Sequence, residues 1–381
     1  MKFWGVTGTN GKTTTTWIAA AFINADPTRK CGYVTTVEAN TGSRQFYTGY
    51  TTPPLKQLKE IFAEMEANGC TDCVMEVSSH AIHQHRTGDT VFSGGVFTNL
   101  SEDHLDYHKT MEAYFDVKLD FARQIAAAHR TSPDMGRRDL PPYVVCLDGG
   151  YGREMFNAVG NLAVNVVGVT TDRAKFDLSG LQLVGDYNKS NVLCAAALAE
   201  AAGVAHESIQ KTIPSLKPRW GRLEEVKSKS GKVKSRVFVD FAHTPDGLEK
   251  VLTAARGFTP EGKKLWVVFG AGGDRDPMKR PLMGAACAKL ADRLVVTSDN
   301  PRSEDPLKII EAIKEGIDRC PPPPSTFTFV EPDRRAAIHS ALREAAAGDV
   351  VIIAGKGHET TQEIAGVKHP FDDREVVRAF C

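Results

Sequence analysis

Residues 5–14 read Gly-Val-Thr-Gly-Thr-Asn-Gly-Lys-Thr-Thr, after an apolar start to the chain and before a helix-forming run. The pattern predicts a strand over residues 1–6, a glycine-rich turn and a helix over 13–24. A turn of that kind aims backbone N–H groups and a helix N-terminus at one spot, where phosphates can sit. Lys12 can reach the outer phosphates as a point charge, and Thr13 can hold a magnesium ion. The strict spacing of a phosphate loop places glycine where this chain has Val6, so the fit is to a variant loop. The plain alternative is an ordinary βα turn.

Strand-like and helix-like runs alternate through most of the sequence. Strands are expected over 2–6, 73–77, 93–98, 143–147, 236–241, 265–269, 294–297 and 350–354. Helices are expected over 55–67, 111–128, 188–202, 278–290 and 306–318. Such alternation predicts an α/β fold with mostly parallel, doubly wound sheets. Residues 164–184 lack a good helix and alternate, which predicts an antiparallel edge or a small sheet. Loops are expected over 131–142 and over 320–325, the latter with four consecutive prolines. A break at 214–218 separates a second block with its own glycine-rich turn, Phe269-Gly270-Ala271-Gly272-Gly273-Asp274. The division expected is two α/β domains, 1–217 and 218–381, the first a phosphate-loop ATPase domain and the second Rossmann-like, with a cleft between them.

Lys plus Arg and Asp plus Glu both number 47, so the net charge is zero. That argues against a nucleic-acid partner held by bulk charge. No charged-then-apolar leader and no apolar run of membrane-spanning length is present, so no membrane partner and a cytosolic location are expected. The eight cysteines lie mostly in apolar stretches and read as reduced, buried thiols. Cys70-Thr71-Asp72-Cys73 is a single CxxC without a second half, and chance outweighs a zinc or redox role.

Several constellations carry chemistry. Met75-Glu76-Val77-Ser78-Ser79-His80 follows one apolar strand, and Asn99-Leu100-Ser101-Glu102-Asp103-His104-Leu105-Asp106 follows the next. A carboxylate and an imidazole at the edge that bears the phosphate loop can hold magnesium, although histidine is an uncommon ligand for it and capping roles compete. Lys118 taken alone reads as a helix-surface lysine. Asn188 and Asn191 share a helix face and can bond a base, or else cap the helix. In the second block, Gly221-Arg222-Leu223-Glu224, Val239-Asp240-Phe241-Ala242-His243-Thr244-Pro245-Asp246, Thr297-Ser298-Asp299-Asn300-Pro301-Arg302 and Gly355-Lys356-Gly357-His358-Glu359 place polar groups at strand boundaries. Together they form a rim suited to a small zwitterion, or else a solvated loop face.

Taken in order, these motifs, with Thr51-Thr52-Pro53, resemble the Mur ligase family along the whole chain. The resemblance implies an ATP-dependent amide ligase whose partners are small molecules. These are ATP, an amino acid and a muramoyl-peptide-like acceptor. It implies ATP binding by Gly8, Thr9, Asn10, Gly11, Lys12, Thr13 and Thr14, with Asn188 at the adenine, Asp240 at the ribose and Arg222 at the γ-phosphate. Thr13, Glu76, His104 and Lys118 correspond to the magnesium set, Lys118 standing where the family carries a carbamylated lysine. Lys12, Glu76, His104, Lys118 and Arg222 are the implied catalytic residues. Thr51, Thr52, Ser78 and Arg86 resemble acceptor contacts, and Arg275, Asp299, Asn300, Arg302, Gly355 and Glu359 an amino-acid pocket for a diamino acid, expected to be meso-diaminopimelate.

The implied reaction turns the D-glutamyl carboxylate of a muramoyl dipeptide into an acyl phosphate, which the amine then attacks. The family's amino-terminal domain, which grips a uridine nucleotide, has no counterpart in this sequence. The same chemistry on a UDP-free muropeptide or another γ-glutamyl acceptor is therefore an alternative, and a non-catalytic nucleotide-binding regulator or partner subunit is another. No oligomeric state is assigned.

Overall fold

The computed structural model describes residues 1–129, 136, 139–320 and 327–381. The loops expected over 131–142 and 320–325 fall mostly outside them. Contacts divide the chain into one unit of Met1–Ser101 with Tyr107–Leu216, and a second of Glu102–Asp106 with Lys217–Cys381.

The first unit is built on eight strands: β1 (Lys2–Thr7), β2 (Cys31–Val34), β3 (Ala39–Asn40), β4 (Gln45–Phe46), β5 (Asp72–Glu76), β6 (Phe92–Phe97), β7 (Pro142–Cys146) and β8 (Asn165–Val169). Their order is β4-β3-β2-β5-β1-β6-β7-β8. β1 pairs in parallel with both β5 and β6, which places it at the centre. β5 is buried along its whole length, as expected for a parallel strand covered on both faces by helices. The helices are α1 (Lys12–Ile23), α2 (Leu55–Ala67), α3 (Ser79–His83), α4 (Leu105–His108), α5 (Met111–Ala128), α6 (Gly152–Val159), α7 (Asp186–Ala202) and α8 (His206–Thr212). α2 buries Leu58, Ile61, Phe62 and Met65, the three- and four-residue spacing of one helix face. Thr110 starts α5 by accepting a hydrogen bond from the Ala113 amide.

The second unit holds a six-stranded sheet, ordered β13-β12-β11-β14-β10-β9. Its strands are β9 (Glu224–Glu225), β10 (Arg236–Asp240), β11 (Leu265–Phe269), β12 (Arg293–Val296), β13 (Phe327–Val330) and β14 (Val350–Ala354). All pair in parallel except β9, which runs antiparallel to β10. β15 (Thr361–Ile364) and β16 (Val367–Pro370) form a separate hairpin. The helices are α9 (Pro245–Phe258), α10 (Lys279–Leu290), α11 (Pro306–Arg319), α12 (Arg334–Glu344) and α13 (Asp373–Arg378). α10 and α11 touch backbone to backbone: a Cβ on Gly316 would stand 1.7 Å from the Pro281 carbonyl oxygen, and one on Gly284 2.1 Å from that of Ile313.

One stretch departs from expectation. Residues 164–184 contain one strand, β8, and it pairs in parallel with β7 rather than antiparallel. The intervening helix α6 returns the chain to the start of the sheet, so the next strand runs the same way as the last. At eight residues α6 is too short to stand out in the sequence. Among the described residues no helix is long and apolar enough to cross a membrane. Cys70 and Cys73 are buried, and all eight cysteines are free thiols.

Candidate active site

The turn after β1 has Gly8 at φ 144° and Gly11 at φ 85°, conformations that a side chain would strain. A Cβ on Gly11 would also lie 2.4 Å from the Asn191 Oδ1. The turn is held by the segment after β6. The Thr9 amide donates to the Asn99 carbonyl at 2.9 Å and the Asn10 amide to Asn99 Oδ1 at 3.0 Å. The Thr98 hydroxyl donates to the Asn10 carbonyl at 2.6 Å. Thr9 also meets the Tyr114 hydroxyl at 3.1 Å. The loop's shape is thus fixed by its neighbours, and the first turn of α1, with Thr13 and Thr14 buried, closes it.

Two lysines converge on this turn. Lys12 Nζ donates to the carbonyls of Gly8 at 3.0 Å and Thr9 at 2.8 Å. Lys118, on α5, is 1% exposed, and its Nζ donates to the same Gly8 carbonyl at 2.9 Å and to Thr7 Oγ1 at 3.1 Å. The surface reading of Lys118 is therefore corrected: α5 carries its ammonium under the phosphate loop.

Glu76 ends β5 and is 1% exposed. Its Oε1 accepts from the Thr36 amide at 2.9 Å, and its Oε2 lies 3.2 Å from the Thr36 hydroxyl. That hydroxyl is 3.0 Å from Thr51 Oγ1. Thr52 Oγ1 donates to the Glu76 carbonyl at 2.9 Å and accepts from the Ser78 amide at 3.0 Å. Arg86 lies 3.5 Å from the Thr52 carbonyl. Thr51, Thr52, Ser78 and Arg86 thus form one cluster with Glu76. Thr36 is the member the sequence reading missed. Its signal was a polar pair directly after β2.

On α7, Asn191 Nδ2 donates to Asn188 Oδ1 at 3.3 Å, and Asn191 Oδ1 accepts from Thr15 of α1 at 3.3 Å. Asn191 therefore ties α7 to α1, and Asn188 orients its amide. Asp148, just after β7, ties α7 to the segment after β8, accepting from Ser190 Oγ at 2.7 Å and from Thr170 Oγ1 at 2.6 Å. Those bonds hold the Asp148 carboxyl below its usual range, against burial, which is the largest single influence and raises it.

His104, at φ 56°, belongs to the short segment grouped with the second unit, and its Nε2 is 3.4 Å from Asp103 Oδ2. Among the described residues no group of three or more His, Cys, Asp and Glu side chains stands together as a metal cage. Thr13 and Glu76 are hard oxygen donors of the kind magnesium takes, and the ion commonly keeps waters and phosphate oxygens as its other ligands. The residues present fit that mode rather than an all-protein site.

In the second unit, the Arg222 guanidinium stands 4.5 Å from the centre of the Phe241 ring. Its loop abuts the loop after β14 through two glycines, Gly221 at φ 59° and Gly357 at φ 55°. A Cβ on Gly221 would lie 2.5 Å from the Gly357 Cα, so neither position has room for a side chain. Asp240 accepts from the amides of Leu223 at 2.6 Å and Ala242 at 2.8 Å, which uses one bond on each oxygen to fix this corner. Burial pushes its carboxyl up, with the Arg222 charge opposing.

The loops after β12 and β14 meet in a charged network. Asn300 Nδ2 donates to Asp299 Oδ1 at 3.0 Å and to Glu359 Oε2 at 2.8 Å. Lys356 is 0% exposed and donates to the same Glu359 oxygen at 2.8 Å. Gly355 admits Asp299: a Cβ there would lie 2.3 Å from Asp299 Oδ2. Beneath both loops Arg334, fully buried, donates to the carbonyls of Ser298 at 3.2 Å and Ala354 at 2.9 Å and pairs with buried Asp373 at 2.8 Å. Arg302, at φ 52°, turns its guanidinium to the Gly273 carbonyl, and Arg275 is exposed beside that glycine-rich loop. Lys356 and Arg334 were missed as functional candidates. Lys356 carried a signal as the charged residue between two glycines, whereas Arg334 carried none.

Two family models match this chain, the Mur ligase middle domain over residues 6–199 and the Mur ligase glutamate ligase domain over 221–357. A UDP-N-acetylmuramoyl-L-alanyl-D-glutamate--2,6-diaminopimelate ligase of Thermosynechococcus vestitus is 42% identical, over 98% of this chain and 75% of its own length. A solved ligase of the same name is 32% identical with a TM-score of 0.60, over 99% of this chain and 77% of its own. E. coli FolC, solved with DHPP and ADP, shares the fold at 18% identity and a TM-score of 0.65, over 94% of this chain and 86% of its own. The chain belongs to the Mur ligase family, carrying the family's middle domain and its glutamate ligase domain.

Proposed function

We propose that this ligase couples ATP cleavage to amide formation between meso-diaminopimelate and the D-glutamyl carboxylate of a muramoyl dipeptide. The observation that carries the assignment of the amine is the charged network of Asn300, Lys356 and Glu359, which sits at the carboxyl ends of β12 and β14, the two parallel strands that flank β11, where open α/β sheets bind ligands. A relative named as a 2,6-diaminopimelate ligase, 42% identical over 98% of this chain, supports it.

The acceptor carboxylate attacks the γ-phosphorus of ATP, ADP leaves, and an acyl phosphate results. The amine nitrogen then attacks the acyl carbon and inorganic phosphate departs. Lys12 can exchange its Gly8 and Thr9 carbonyls for phosphate oxygens and neutralise charge as it moves to the leaving group. Magnesium, when bound near Thr13 and Glu76, supplies further neutralisation of that charge. Thr51, Thr52, Ser78 and Arg86 orient the acceptor, and Arg222 adds a guanidinium for phosphate.

Lys118 is proposed to work as a carbamate. Its ammonium first releases a proton, the neutral amine attacks carbon dioxide, and a second proton leaves the nitrogen, so that an anion stands where a cation stood. Two ammonium groups on the Gly8 carbonyl repel, and the change relieves that repulsion. Lys118→Ala is expected to lose activity and to regain part of it with short carboxylates.

The test is a matrix of amines (diaminopimelate, lysine, ornithine) against acceptors with and without UDP, read as ADP release and product mass. Product with diaminopimelate and a muramoyl dipeptide, dependent on ATP and magnesium, is expected. Equal specificity constants for lysine and diaminopimelate would overturn the choice of amine.

A further inference from the structure

Lys356 has three ammonium protons and three acceptors: Asn300 Oδ1 at 3.2 Å, Glu359 Oε2 at 2.8 Å and the Thr361 carbonyl at 2.6 Å. With its side chain 0% exposed, it has no donor left for a ligand. Asn300 is as fully committed. Its Oδ1 accepts from Lys356 and from the Glu363 amide at 3.0 Å, and its Nδ2 donates to Asp299 and Glu359. That pattern also fixes which way round the amide sits. Glu359 differs from both. Its Oε2 takes the bonds from Lys356 and Asn300, its side chain is 32% exposed, and its amide returns to the Lys356 carbonyl at 2.9 Å. One carboxylate oxygen is anchored by a buried cation, which leaves Oε1 as the oxygen that can receive an incoming ammonium.

We propose that Lys356 is a positioning residue for amine selection, which sets the orientation of Glu359 so that this single oxygen reads the ammonium group of the diamino acid. Lys356 itself does not touch substrate, and Asn300 serves the same frame. The proposal rests on the reading of this network as the amino-acid pocket. It differs from a purely structural role because its effect on the amine passes through Glu359, whose Oε2 it holds together with Asn300. Removing the ammonium takes one of two anchors from Glu359 Oε2, leaving the Asn300 amide, and so loosens the carboxylate while the phosphate-binding unit is left as it was.

The experiment is a double-mutant cycle in the full chain, with Lys356→Met, Glu359→Gln and the pair, each measured for KM of diaminopimelate, KM of ATP and kcat. Loss of a charge-assisted contact predicts that Lys356→Met raises the amine KM by about tenfold or more. The ATP KM should stay within about twofold, and in the Glu359→Gln background the Lys356 change should add no more than about twofold. Lys356→Gln, which keeps two N–H donors without the charge, takes the place of the methionine variant if that one fails to fold. Penalties that multiply, or an amine KM that does not move while ligation proceeds, overturn the proposal. If the parent chain ligates no diamino acid at all, the reading of the pocket fails first, a different result from a functioning ligase indifferent to Lys356.

Discussion

Gly8 offers one carbonyl oxygen to two ammonium groups, and that fact orders what single substitutions do. On the proposed reading, Lys12→Ala removes a charge from the transferring phosphate and is expected to lower turnover by about 10²–10³. Turnover is read as acceptor-dependent ADP release, and an unimpaired variant would remove Lys12 from the chemistry. His358 allows a second expectation. Burial first, then the charges of Arg222, Arg374 and Lys356, push its imidazole down to about 3, and its Nδ1 is buried without a hydrogen-bond partner. The unfolded chain takes up that proton near the ordinary value of about 6.5. The native state therefore loses stability as pH falls from about 6.5 toward the folded value, with a slope of at most ~1.4 kcal/mol per pH unit. His358→Gln should flatten the acid limb of a urea-midpoint curve, and an unchanged limb would refute the assignment. At this scale the legible residues were those whose chemistry is local. Lys12 is announced by its two preceding glycine-containing steps. Lys356 depends on Asn300, 56 positions away, and no local pattern reports that partner.

The loops after β12 and β14 are joined by the Arg334–Asp373 pair, which links α12 to α13 with both side chains 0% exposed. Arg334→Met leaves a buried, unpaired carboxylate and should cost about 3–5 kcal/mol. Arg334→Met with Asp373→Leu should recover most of it, because the cost lies in the orphaned charge rather than in the lost attraction. Urea denaturation of the three variants decides this, and a double variant no better than the single would rule it out. Long amphipathic helices were legible to the residue: α2 and α5 occupy the expected 55–67 and 111–128. Their apolar spacing is a property of the helix itself. The short elements were not. α6 has eight residues and α13 six, and the parallel direction of β8 follows from α6 rather than from its own sequence.

Across the whole molecule, the fold was legible because most of the chemical loops directly follow a strand's carboxyl end, as after β1, β5, β6, β12 and β14, whereas the Arg222 loop precedes β9. The packing that unites those loops was not, since it depends on sheet order. The buried thiols give this arrangement a further consequence. Cys31, Cys70, Cys73, Cys146 and Cys194 lie buried in the first unit and Cys287 in the second, whereas Cys381 is exposed. A thiol reagent should mark Cys381 at once, half-buried Cys320 next, and the six buried thiols only when their surroundings open. The chain thus carries two internal clocks, one per unit, with no label added. A nucleotide at about 100 times its Kd stabilises its own unit by about 2.7 kcal/mol and should slow labelling of the first set about a hundredfold. Peptide mass mapping over time reads both clocks. If Cys287 slows by the same factor, the two units open as one cooperative body; if it keeps its pace, ATP guards only the half of the molecule that holds it.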